Sequence, residues 1–155
     1  MTDEPRPPEQ DYFEHRVSHL LEEARMILPG VQTLFGFQLI AVFNQRFTTA
    51  LTPPLQQLHL VALVLVAVAV ALVMTPAAYH RLLMPDRATQ RFLVICSRLL
   101  LVSMVPLMFS MSLDIYIIAR VILGDHSSAE VLAGGLLLVF TTFWVILPMR
   151  WRAVR

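Results

Sequence analysis

Asp114 is the one formally charged side chain inside four long apolar stretches of this 155-residue chain. The stretches are bracketed by the ionisable pairs Arg25 and Arg46, His59 and His80, Arg98 and Arg120, and Glu130 and Arg150. On a helix rising about 1.5 Å per residue, Asp114 stands about 9 Å from Arg120. An ionised carboxylate at that depth is costly unless paired, hydrated or neutralised. Two readings of it stand. Asp114 binds a proton or cation, with Arg46 or Arg120 as its partner at the same outer level. Alternatively its short side chain reaches the headgroups, or makes a static ion pair fixing the third helix against the first.

The remaining residues with chemical capacity have simpler accounts. Tyr79, His80 and Arg81 end the second stretch, with Arg98 at the same level on the third. Together they could hold an acidic lipid headgroup or the acidic N-terminal helix through charge-assisted hydrogen bonds, or serve as interfacial anchors with snorkelling arginines. Asp11, His15, His19 and Glu22 form a polar helical stripe with the residue types of a zinc site, which a solvated face explains as well. Asp125, His126 and Ser127 are the types of a hydrolytic triad, but sequence neighbours cannot converge as nucleophile, base and orienter. The single Cys96 excludes an internal disulfide, and neither an HExxH signature nor a Gly-rich phosphate loop occurs. No catalytic residue, metal or cofactor is expected, and no small-molecule substrate is identified.

The elements that carry these residues follow from hydropathy. Hydrophobic residues make up 57% and charged residues 15% of the chain, against about a quarter charged in a soluble domain. Roughly twenty apolar residues span about 30 Å as a helix, the thickness of a bilayer's hydrocarbon core. The expected fold is therefore an all-α membrane protein: a four-transmembrane-helix bundle over residues 26–150, with spans at about 26–46, 59–80, 98–120 and 130–150. Nine of the twelve arginines flank what would be the inner ends, and only Arg46 and Arg120 lie in the opposite loops. The positive-inside rule then puts both termini in the cytoplasm, and topology accounts for the basic residues before nucleic acid does. The first thirty residues lack the basic and short apolar regions of a cleavable signal, so the first span is expected to direct insertion.

Residues 1–10, with Pro5, Pro7 and Pro8, read as a disordered tail, and 151–155 as a basic tail. Over residues 11–25, Phe13, Val17, Leu20, Leu21 and Ala24 recur at helical spacing, continued by Leu28, opposite Asp11, Glu14, Glu22 and Glu23. This acidic amphipathic helix should dock on protein, its own bundle or a partner, rather than on anionic lipid. In the first span Gly30, Gln38, Ala41 and Gln45 share one stripe, a small and polar packing face. Ala67 and Ala71 offer a similar contact on the second span, and Gly134, Gly135, Thr141 and Thr142 on the fourth. Pro106 should kink the third span, with Ser103 and Ser110 near enough to help the freed carbonyls. Gly124 ends that helix, and Ser127 with Glu130 has the pattern of a capping box.

The runs GVQTLFGFQL from Gly30, FNQRF from Phe43 and TPAAYHRLL from Thr75 resemble the signature segments of a family of small four-span bacterial membrane proteins of unknown function. The resemblance covers residues 20–124 and implies an architecture and a bacterial plasma-membrane location, without a role for any residue. The expected function is a non-enzymatic accessory or scaffold subunit, packing as a homo-oligomer or in a larger membrane complex. The alternative is a small oligomeric channel or transporter subunit with Asp114 as its proton or cation site.

Overall fold

The computed structural model describes residues 8–83 and 90–153. All regular structure among them is helical: α1 (Pro8–Val42), a short α2 (Phe47–Ala50), α3 (Pro53–Leu83), α4 (Gln90–Leu123) and α5 (His126–Thr141). A π-helical turn, Thr142–Ile146, then leads directly into α6 (Leu147–Ala153). Four helices are long and apolar enough to cross a membrane: His15–Val42, Pro53–Tyr79, Gln90–Leu123 and His126–Trp151. Their outer faces carry exposed Leu60, Val64, Val68, Leu101, Val105 and Leu138, while Gln38, His59, Ser103, Ser110 and Ser112 are buried. Apolar side chains turned outward around a polar-containing interior suit lipid as the surrounding solvent, and this is a multi-pass membrane protein.

A seven-residue rhythm sets the packing. The buried residues of α3 are Leu55, His59, Ala62, Val66, Ala69, Val73 and Pro76, alternating four and three residues apart. That spacing keeps one seam facing a neighbouring helix along the whole span. On α4 the matching seam holds Cys96, Ser103, Ser110 and Ile117, and on α1 it holds Val17, Ala24, Val31 and Gln38. Small residues in the α3 seam, with Ala62 and Val66 both 0% exposed, let the backbones approach closely. Ala67 and Ala71, expected in that role, are exposed and face away. Helix α4 is central, packed against α1, α3 and α5, whereas α5 lies mainly on α4.

The amphipathic segment and first span form one helix that continues through Pro29, where the Thr33 hydroxyl donates to the Pro29 carbonyl at 2.8 Å. Its apolar face docks on the chain's own bundle. Val17 packs with Phe92 and Cys96, and Ala24 with Val73 and Leu100, with Leu20 shared between the two clusters. The expected tail over 1–10 and the inner loop near residues 84–86 fall largely outside the described residues, as do the side chains of Asp11, Phe13 and Glu14. Helix α4 passes Pro106 without interruption. Ser103 donates within its own helix to Leu100, but Ser110 donates across to the Ala62 carbonyl of α3, so it ties two helices rather than repairing the proline site.

The turn between α4 and α5 is built from local chemistry. Gly124 adopts φ 76° and its N–H bonds to the Arg120 carbonyl at 3.2 Å, the left-handed termination open to glycine. The cap of α5 is Asp125, two residues earlier than the expected Ser127 of the capping-box pattern, its side chain accepting from the Ser128 N–H at 2.7 Å. The Ser128 hydrogen bonds, from side chain and backbone, hold the Asp125 carboxyl below its usual range. A depressed acid stabilises the fold above its unfolded value of about 3.9 and loses that contribution as pH falls through its folded value. A Gly124→Ala protein is expected to lose about 1 kcal/mol in a detergent unfolding titration, with Gly124→Asn losing less. The cost is in the backbone alone, because an added Cβ would meet no atom within 4 Å.

In the last span, Thr141 and Thr142 donate to the Leu137 and Leu138 carbonyls at 2.8 and 2.7 Å. Such back-bonding competes with the regular ladder, and the wide π turn follows at once.

Candidate functional site

Three helices bring polar side chains to one point, near the C-terminal ends of α1 and α4 and the N-terminal end of α3. The seams of α1, α3 and α4 turn Gln38, His59 and Ser110 inward, and Asp114 follows Ser110 by one helical turn. Gln38 Nε2 donates to Asp114 Oδ2 at 2.6 Å and to Ser110 Oγ at 3.0 Å. Ser110 Oγ passes its own proton to the Ala62 carbonyl at 2.9 Å. His59 Nε2 lies 3.0 Å from the Gln38 backbone carbonyl, which can only accept, so that nitrogen carries a proton. His59 Nδ1 faces Asp114 Oδ1 at 3.8 Å. Both side chains are well buried, His59 at 8% and Asp114 at 18% exposure.

That geometry has a consequence for charge. With Nε2–H committed to the Gln38 carbonyl, a neutral His59 would aim a lone pair at a carboxylate oxygen, an unfavourable meeting in a low-dielectric interior. The contact becomes attractive when a proton sits on either partner, as imidazolium with carboxylate or imidazole with carboxylic acid. The Phe47 ring packs edge-on against His59, with centroids 5.4 Å apart, and helps hold the imidazole in place.

Asp114, His59 and Gln38 form the polar part of a cavity of about 580 Å³, walled by α1, α2, α3, α4 and α5. Its other lining residues are apolar, among them Leu34, Phe37, Phe47, Leu136 and Phe140. Gln38 Oε1 is buried without a hydrogen-bond partner.

A family model described as a family of unknown function (DUF6328) matches residues 8–148, which include every member of this network. The chain belongs to that family. No curated protein and no solved structure matches the chain. The DUF6328 match extends past residues 20–124, which carry the sequence resemblance, into the amphipathic segment and most of the last span.

Of the residues singled out in this DUF6328 chain, Asp114 and Gln38 meet and the arginines stay apart from them. Arg46 is exposed beyond the end of α1, its N–H bonded to Asn44 Oδ1, and Arg120 is half-buried beside the turn with its Nε unpartnered. Neither makes an ion pair or hydrogen bond with Asp114, so the expected pairings are replaced by Gln38 and His59. The α1 stripe is likewise partial: Gln38 is buried and Ala41 lines the cavity, whereas Gly30 and Gln45 are exposed. Tyr79 stacks on Phe92, centroids 5.7 Å apart, while Arg81 and Arg98 are exposed and no contact joins them into a headgroup site; the His80 side chain is outside the described residues.

On the N-terminal helix, His15 and His19 bring their Nε2 atoms within 3.1 Å and His19 Nδ1 is 3.6 Å from Glu22. Among the described residues no three His, Cys, Asp or Glu side chains converge as a metal site would require. Asp125 is occupied as a cap and His126 Nδ1 lies 3.3 Å from the Tyr116 hydroxyl, so the apparent triad is dispersed.

Sequence reasoning gives His59 only as the border of a span and Ser110 only as a partner for the carbonyls freed by Pro106, and brings neither to Asp114. The signal for His59 was present in its spacing: it lies three and seven residues before Ala62 and Val66, on the same seam.

Proposed function

We propose that this DUF6328 protein is a non-enzymatic, oligomeric channel or transporter subunit of the bacterial plasma membrane, with both termini cytoplasmic, whose working element is the proton held by Asp114 and His59. One observation carries the reading: a buried carboxylate and imidazole face each other at 3.8 Å on the edge of a cavity, inside a membrane span. Ionisable groups at that depth are expensive, and amides or hydroxyls would tie the helices at lower cost. The network's other members, Gln38 and Ser110, do that tying already. The arginine asymmetry supports the topology. The test is proton movement in proteoliposomes under an imposed potential, followed with an internal pH-sensitive dye, for the wild type and Asp114→Asn.

The accessory or scaffold reading is favoured by a different observation. None of the most apolar window of the last span is buried, and Gly134 and Gly135 meet no atom within 4 Å of an added Cβ. A helix that leaves glycines unpacked offers a close-approach face to another helix. Native mass spectrometry of the gently extracted protein is expected to find a homo-oligomer on the transport reading. A stoichiometric foreign subunit would favour the accessory role instead.

A further inference from the structure

The cavity's chemistry is one-sided. Its charged member offers acceptors, the Asp114 carboxylate oxygens. The donors beside them are spent within the protein, Gln38 Nε2 on Asp114 and Ser110, and His59 Nε2 on the Gln38 carbonyl. No Arg lines the cavity. A carboxylate in an apolar cavity is costly without donors, and a ligand carrying N–H groups would relieve that cost. Phe37, Phe47 and Phe140 stand in the same walls, and aromatic faces attract a cation more strongly in a desolvated setting. The volume of about 580 Å³ is that of a small-molecule site. Phe37 is 67% exposed and Ile118 51% exposed on the cavity's outer side, where lipid would lie, so access is lateral from the bilayer.

We propose that this cavity takes a lipophilic amine, its protonated head on the Asp114 carboxylate and its alkyl portion against the apolar walls, in exchange for the proton held by Asp114 and His59. The exchange deepens the proton-handling reading and rests on the same pair. An ammonium beside the carboxylate replaces the proton's charge, so the displaced proton leaves to bulk water and the net charge of the site is unchanged. The groups facing Asp114 leave no other source for that proton. They are neutral Gln38 from α1, His59 from α3, Ser110 on its own helix, Phe47 from α2, and Leu136 and Phe140 from α5. Amine binding is therefore expected to weaken as pH falls, because protons compete for the site.

The experiment is a titration of dodecylamine into the full chain held in phosphatidylcholine nanodiscs, with empty nanodiscs subtracted and the heat measured in buffers of different ionisation enthalpy. The expected result is saturable binding near one equivalent, with release of about one proton. Asp114→Asn should weaken it by at least about tenfold, and so should Ile118→Trp, which fills the cavity without touching the network. Circular dichroism and elution volume show whether each variant is folded. Absence of saturable binding, equal competition by dodecanol or dodecanoate, or unchanged affinity in both variants would each overturn the proposal. Amine-free proton flux in liposomes separates the two claims. Flux without saturable amine binding sinks the amine site alone, and binding without flux sinks the proton-conduction reading while supporting the site.

Discussion

Asp114→Asn is expected to bring proton movement in proteoliposomes down to the level of protein-free vesicles while leaving the protein folded. The side chains are close in size, and the Asn carbonyl can still accept from Gln38 Nε2 in place of Oδ2, so the tie between α1 and α4 persists. What disappears is the group that can exchange a proton with His59 across 3.8 Å. His59→Gln should have the same effect on flux, since an amide N–H can replace the imidazole donor to the Gln38 carbonyl but cannot be charged. The measurement is the rate of internal pH change under a potassium-diffusion potential, at matched protein-to-lipid ratio. Wild-type flux persisting in Asp114→Asn would make the pair a structural clasp and end the conduction reading. Loss of flux in both variants, with normal elution from gel filtration, would tie it to the Asp114 and His59 side chains.

Gln38→Leu is expected to be the most destabilising single change in the bundle, by about 2 kcal/mol. The side chain donates to Asp114 and to Ser110, and its removal leaves a buried carboxylate without its shortest hydrogen bond. A hydrogen bond to a charged group contributes about 1.5–3 kcal/mol in water-soluble proteins, and interhelical bonds in membranes average about 0.6 kcal/mol. The expected value lies between these because Asp114 keeps only its His59 contact, while loss of the unpartnered Oε1 returns part of the cost. Denaturation of the purified protein by sodium dodecyl sulfate, run as a cycle with Asp114→Asn, isolates the pair. A coupling of about 1–2 kcal/mol is expected. Additive effects would show that Gln38 contributes by filling space rather than by serving the acid.

The two results are linked through the helix register. Gln38 lies 72 residues from Ser110 and 76 from Asp114. Their hydrogen bonds are possible only because the α1 and α4 seams meet at one height. Those seams are anchored at their other end by Val17 against Phe92 and Cys96. The amphipathic segment is thus a brace: its apolar face, docked on α3 and α4, helps set the level at which Gln38 meets Asp114.

Much of this architecture was legible in one dimension. Charge-free runs of about twenty residues announced four spans, because a bilayer tolerates little else at that thickness. The periodicity of Val17, Leu20, Leu21, Ala24 and Leu28 announced a helix needing an apolar partner, and Gly124 announced a helix end. Asp114 stood out because an acid in hydrocarbon demands an explanation. The partners of these residues could be found only in three dimensions. Sequence offered arginines to Asp114 on the ground of charge and level; packing supplied Gln38 and His59 because only they lie on the seams that face α4. It favoured Ala67 and Ala71 as a contact, although Ala62 and Ala69 on another face of the same helix are the buried pair. The physical reason is common to both cases. Periodicity divides a helix into faces, but lipid is as apolar as leucine, so hydrophobicity cannot say which face meets a neighbour or at what height. Close packing and hydrogen bonds between distant parts of the chain decide that, and they exist only once the helices have assembled.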